Sequence, residues 1–305
     1  MHQARSSYDD IIDRSIRVCW QLDELFPEGT KISYERPHLP NALAATEDIR
    51  CLDAEARLAL NHIRGNAYMN LFGFVEEYII ADTVQHAQAE LFGDHAALRA
   101  LLRFGEEEIK HQALFHRYCA SFARDFGSPC EVLGSPAAVA GVILANPPMA
   151  VMLTTLHLEL ITQQHYTEAI KDRGDLDPLF CSLLKHHWLE ESQHAQIDLL
   201  ELEKMASVSG QDERAAAVDA YFGILAAFDG LLASQVEMDL RSLEQKVGRE
   251  YSEAERVEIR RVQHISYRRD FLVMGLKNAK QAKALADMVP DVGPRIAAAI
   301  AQYSA

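Results

Sequence analysis

The sequence predicts an all-α protein built around a four-helix bundle. Apolar residues recur at helical period along most of the chain, and no strand-like alternation is sustained. Four helix-patterned stretches each place a glutamate in an apolar setting: LFGFVEEYIIADT, FGEEEIKHQALFH, TTLHLELITQQHY and KHHWLEESQHAQID. Glu77 to Glu108 is 31 residues and Glu159 to Glu191 is 32. Each interval fits half a long helix, a short turn and half the returning helix.

The expected elements follow in order. Residues 1–45 form an N-terminal extension, with a short helix over Tyr8 to Leu25 and then an irregular, proline-bearing run that wraps the bundle. We read no chemistry in it. Residues 46–210 form the four-helix core. Its first helix starts with Thr46 as N-cap and ends at Gly93, with Gly65 and Gly73 as breaks or close contacts. Asp94 caps the second, which runs from about His95 to Phe126. A longer crossover leads to Pro147-Pro148, which opens the third helix, ending near Arg173-Gly174. Asp177-Pro178 opens the fourth, which runs to about Ser207. Residues 211–305 supply further helices: Asp212–Val247, Ser252–Asn278 and a C-terminal piece. The first of these is apolar on more than one face, so it packs across the core or into a partner subunit.

Composition narrows the function. The 305 residues are 49% hydrophobic, enough for a core, and carry a net charge of −15. That charge argues against a nucleic-acid groove or an anionic-membrane binder, both of which need concentrated Lys and Arg. Cys19, Cys51, Cys119, Cys130 and Cys181 are widely spaced without a C-x-x-C, as in a reduced, cytoplasmic chain. The N-terminal MHQARSSYDDII has no apolar signal core, and the apolar run AAVAGVILANPPMAVML is broken by Asn146, Pro147 and Pro148. No membrane span is expected.

The chemistry lies in two Glu-x-x-His pairs, Glu108/His111 and Glu191/His194, each preceded by a single glutamate. The single glutamates are Glu159 and one of Glu76 and Glu77, which flank the apolar stripe of their helix on either side. The order Glu, Glu-x-x-His, Glu, Glu-x-x-His is that of ferritin-like di-iron and di-manganese carboxylate bundles. Four carboxylates balance two divalent ions, and one imidazole per ion adds a nitrogen donor. His187 precedes Glu191 by one helical turn, on the same face, and offers a third nitrogen; its neighbour His186 is out of phase. Asp198 is placed to accept an imidazole N–H from His194. We expect His116, His157 and His165 to support ligands through hydrogen bonds or to be structural, and Glu107 and Glu190 to be solvated.

These residues resemble the non-haem di-iron arylamine N-oxygenases typified by p-aminobenzoate N-oxygenase. His187-x-x-x-Glu191-x-x-His194, the earlier Glu108-x-x-His111 and the single glutamates carry the likeness, which spans roughly residues 68–244. Glu77-Tyr-Ile-Ile-Ala-Asp82 looks like that family's first ligand helix, which selects Glu77 over Glu76. The resemblance implies two iron ions, with manganese as the alternative, held by Glu77, Glu108, His111, Glu159, His187, Glu191 and His194. It further implies O2 and a small-molecule substrate, an amine or an aromatic, together with an external electron donor and a homodimer. The same three-histidine pattern also looks like a ferritin-like family of metal-dependent hydrolases, so a di-metal hydrolase is the second reading. A non-catalytic iron-binding helical protein is the third.

Overall fold

The computed structural model describes residues 7–305, with no strand among them; the first six residues of the expected extension lie outside the described residues. Helix α1 (Tyr8–Val18) is closed by a capping box between Ser7 and Asp10, and α2 (Leu22–Leu25) and α3 (Asn41–Ala44) are single turns in the run that follows. The first core helix, α4 (Ala54–Ala89), starts later than expected. Asp53 caps it, and Thr46 instead opens a 3₁₀ turn. Asp94 caps α5 (His95–Asp125) by accepting from the Ala96 and Ala97 amides.

A short α6 (Pro136–Leu144) lies in the crossover, and α7 (Pro148–Gln164) opens on its proline. A π-helical segment, His165–Ile170, extends α7, and α8 (Pro178–Val208) begins behind the Asp177 cap. The core is the pair α4 and α5 set against the pair α7 and α8. Beyond it, α9 (Gln211–Val247) packs across α4 and α7, and α10 (Glu253–Arg268) lies on α9. A second π segment, Arg269–Val273, leads into α11 (Met274–Lys277), α12 (Ala279–Met288) and α13 (Gly293–Tyr303). Helix α9 is long and apolar enough to cross a membrane by composition alone, and one of its faces is committed to the bundle.

Buried polar contacts fasten the outer helices to the core. The Arg64 guanidinium of α4 is fully buried, 3.2 Å over the Tyr267 ring and 3.5 Å from Asp270. Burial raises Asp270 to about 7 in spite of the Arg269 and Arg64 charges. His157 of α7 and His165 of the π segment that extends it are tied to the second π segment. Each donates from Nε2 to a backbone carbonyl, Phe271 at 2.9 Å and Asp270 at 3.1 Å. Each then accepts at Nδ1 from a tyrosine hydroxyl, Tyr221 at 2.8 Å and Tyr68 at 2.9 Å. Both imidazoles are structural, as expected, and burial keeps them neutral, at about 4 and about 3. His116 is exposed on α5.

Gly275 makes the closest of these approaches possible, because a Cβ there would lie 2.3 Å from the His157 ring. Gly275→Ala should break the His157–Phe271 bond and lower stability by about 1–3 kcal/mol. A denaturant melt with the metal content held constant checks this.

Candidate metal centre

Four helices meet at the centre of the bundle. Glu108 and His111 come from α5, Glu159 from α7, and His187, Glu191 and His194 from α8; all are buried. The glutamate from α4 is Glu76, not Glu77. Glu76 is 3% exposed with Oε1 3.0 Å from His187 Nε2, whereas Glu77, one residue and about 100° further round the helix, faces solvent. The expectation for Glu77 is corrected accordingly.

The donor atoms converge in two overlapping groups, Glu76 with His111, His187 and Glu191, and Glu108 with His111, Glu191 and His194. Within each group the donors lie within 4.8 Å of one another. Glu191 Oε1 is 3.0 Å from His187 Nε2, 3.1 Å from His111 Nδ1 and 3.5 Å from His194 Nδ1, a bridging position. Glu108 Oε1 stands between His194 Nδ1 at 2.8 Å and His111 Nδ1 at 3.5 Å. Glu159 Oε2 is further out, 3.9 Å from His194 Nδ1. His187 therefore faces the group through Nε2, and the other two imidazoles through Nδ1.

The outward nitrogens of His111 and His194 are held in a crossed pattern. His111 Nε2 on α5 is 2.9 Å from Glu190 Oε2 on α8, and His194 Nε2 on α8 is 2.9 Å from Glu107 Oε2 on α5. Glu107 and Glu190 are thus buried imidazole partners, not solvated side chains, and both corrections have one cause. The residue before each ligand glutamate points into the α5–α8 interface, where the N-terminal segment covers it. Ser15 donates to Glu107 Oε1 at 2.5 Å and receives Arg103 Nε at 2.6 Å. Lys110 Nζ reaches Glu190 Oε1 at 2.6 Å and lies over the Trp20 ring, which stacks on His111. Asp198 does not accept from His194. It is fully buried, and neither of its oxygens has a partner.

The electrostatics identify what the set would hold. Burial and the charge of Glu108 push Glu76 up to about 8, and burial with the charge of Glu191 pushes Glu159 well up. Burial opposes ionisation of Glu108 and Glu191 as well, yet His111 and His194 hold Glu108, and His187, a hydrogen bond with Glu159 and His111 hold Glu191, below the usual range. Reciprocally, and against burial, the surrounding carboxylates raise His111 and His194 well above normal and His187 to about 9. Glu76 Oε2, both Glu108 oxygens, Glu159 Oε2, Glu191 Oε1 and the Nδ1 atoms of His111 and His194 have no hydrogen-bond partner. Buried, unpartnered oxygens and inward imidazole nitrogens fit two divalent cations, which would neutralise the carboxylates and occupy those lone pairs.

Such a donor set in a helical bundle defines the protein as a non-haem dinuclear metal enzyme. A family model described as p-aminobenzoate N-oxygenase AurF matches residues 3–270. The chain belongs to that family and is a di-metal oxygenase with a di-iron cofactor. The match gives the hydrolase alternative no support. No curated protein matches the chain. Among solved structures, a variant of an R2-like ligand-binding oxidase with an anaerobically reconstituted Mn/Fe cofactor is similar over 86% of this chain and 92% of that one, at 13% identity and a TM-score of 0.43.

The two neighbouring glutamates on α4 make a paired test. Glu76→Ala should lower bound iron to about one ion per chain or fewer, because it removes a charge-compensating donor. Glu77→Ala should leave loading unchanged. Iron analysis of chelator-treated, reloaded protein reads both.

Proposed function

We propose that the protein transfers one oxygen atom from O2 to the nitrogen of a small, uncharged aromatic amine. The balance is O2 with the amine, two electrons and two protons, giving the hydroxylamine and water. The electrons come from an external donor. Glu76, Glu108, His111, Glu159, His187, Glu191 and His194 hold the two iron ions, which supply O2 activation when bound. The observation that carries this reading is the third imidazole, His187, buried within 3.0 Å of both Glu76 and Glu191.

This chain's own residues set the conditions. Glu107 and Glu190 orient the His194 and His111 rings and strengthen them as donors. Phe72, Phe104 and Phe115 pack on the His187 and His194 rings and keep water away. A cavity of 190 Å³ lies between α4, α6, α7 and α9. Its walls include Phe74, Val75, Leu158 and Phe228, and no charged side chain lines it. Val75 and Leu158 immediately precede Glu76 and Glu159, so the space adjoins two ligand-bearing helices. This apolar lining favours a ring without an anionic substituent.

The half-exposed apolar flank of α6 and α9 suits a second copy of the chain, and we propose a homodimer. Five unbridged cysteines suit a cytoplasmic protein.

Anaerobic loading with ferrous iron and rapid mixing with O2 should give a transient visible absorption. Product analysis should find 4-methylaniline oxidised faster than p-aminobenzoate. His187→Ala should keep the fold and most of the iron while altering the lifetime of the transient and lowering turnover by more than about tenfold. An unchanged transient with a lowered melting point would remove His187 from the ligand set.

A further inference from the structure

Outside the seven donors, the bundle holds a second set of ionisable groups: Asp198, Asp82 and Glu201, which are buried, and His86, which is partly buried. On α8, Glu191, His194, Asp198 and Glu201 follow at steps of three, four and three residues, on one face. At the helical rise, His194 and Glu201 are about 10 Å apart along the axis. Helix α4 runs in the same direction across the bundle interior from that face, since Glu76 meets His187 at 3.0 Å and, further along both helices, His86 meets Glu201 at 3.0 Å. Asp82 lies between these two contacts. The polar residues thus form a column leading from the metal centre toward one end of the bundle.

The contacts within the column are specific. His86 Nδ1 is bonded to Glu201 Oε2, and His86 Nε2 faces Asp82 Oδ2 at 3.9 Å. Tyr8 of α1 donates to the other Glu201 oxygen at 2.6 Å. The His86 side chain retains 12% exposure, where water reaches the column. At the inner end stands Asp198, fully buried with both oxygens unpartnered, an arrangement that costs stability unless it is used.

We propose that this column is a proton path, taking protons from solvent at His86 and passing them through Asp82 and Asp198 to the carboxylates of the metal centre. It rests on the functional reading above, in which each oxygen transfer consumes two protons. The proton leaves one imidazole nitrogen as the other takes one up, and one water or a small turn of the Asp82 carboxyl closes the 3.9 Å step. A cation route is disfavoured, because the two ring nitrogens of His86 face different carboxylates. Among the described residues, three or more donor atoms converge only at the centre itself.

The ionisation behaviour supports the path. Burial raises Asp82 to about 6, with Glu201 adding to the rise and His86 opposing it. Burial opposes the charged form of His86, yet Glu201 and Asp82 raise it overall while Lys204 opposes them. Asp82 therefore exchanges its proton near neutrality, while His86 is held above its ordinary value. Burial lifts Asp198 well up, with Asp82, Glu108 and Glu191 adding to the rise and His194 opposing it. Burial lifts Tyr78 well up, and the charges of Asp82 and Asp198 both add to the rise.

The test reads proton access directly in the metal-free protein. A buried, protonated Asp198 should give a carboxylic C=O infrared band that Asp198→Asn removes. On rapid transfer to D2O the band should shift quickly in the wild type. It should shift at least about tenfold more slowly in Asp82→Asn and in His86→Gln, with melting temperature and backbone amide exchange unchanged. A band unaffected by Asp198→Asn, or equal exchange rates in all three proteins, overturns the proposal. In the iron-loaded enzyme, Asp82→Asn should slow single turnover and enlarge the solvent isotope effect. If no amine is oxidised, the functional reading fails while the exchange measurement still decides the path.

Discussion

Burying four carboxylates and three imidazoles in one helical core is the constraint on which the rest of the structure depends. Each unpaired charge in such a place carries a desolvation penalty of several kcal/mol. The bundle meets that demand from inside and outside the ligand set. Inside, imidazoles alternate with carboxylates, so that Glu108 and Glu191 each stand between histidines. Outside, the crossed Glu107–His194 and Glu190–His111 pairs bind α5 to α8 and fix which nitrogen of each ring points inward. One repeated string, Glu-Glu-x-x-His, supplies both ligands and both supports. Its two copies lie on antiparallel helices, so each supports the other.

The supports are themselves neutralised. Glu107 receives Ser15, which Arg103 backs, and Glu190 receives Lys110. Trp20 then covers His111. The N-terminal segment is therefore part of how the centre is tuned. A carboxylate tied to a second donor pulls less strongly on its imidazole proton, which adjusts how basic the inward nitrogen is. Nothing in the pattern of residues 8–20 marks that role, because the contact joins positions some ninety residues apart in the chain.

Much of the fold and of the centre was legible because helical phase is local. Asp94 and Asp177 capped the helices they were expected to cap, and His187 shares its face with Glu191 as the spacing required. Phase failed on α4, where nearly every position from Leu60 to Glu76 is buried, so no solvent face exists to orient the helix. A signal was nonetheless available. Glu76 to Glu108 is 32 residues, the same interval as Glu159 to Glu191, whereas Glu77 gives 31. The family likeness points to Glu77, and the equality of the two intervals is the better guide. Glu107 and Glu190 depart from their expected solvated positions for another reason. A helix considered alone assigns its off-phase acids to water, and only the packing of α1 and α8 over α5 encloses them.

The centre also has two unlike ends, and this asymmetry bears on how an oxygenase avoids wasting O2. Around His187 the neighbours are aromatic, with Phe72 and Phe115 edge-on to its ring. Beyond His194 they are acids, Asp198 and then Asp82, Glu201 and the His86 that joins them. Premature protonation of reduced oxygen releases it without transfer, so protons are useful only when they arrive on demand and from a fixed direction. A dry aromatic wall at one end and a column of titratable groups at the other supply that direction. In the proposed scheme the unpartnered Asp198 governs the timing. As a neutral acid in a low-dielectric setting it holds its proton tightly, negative charge on Glu108 and Glu191 tightens that hold, and the proton passes on only to an acceptor more basic than Asp198 itself.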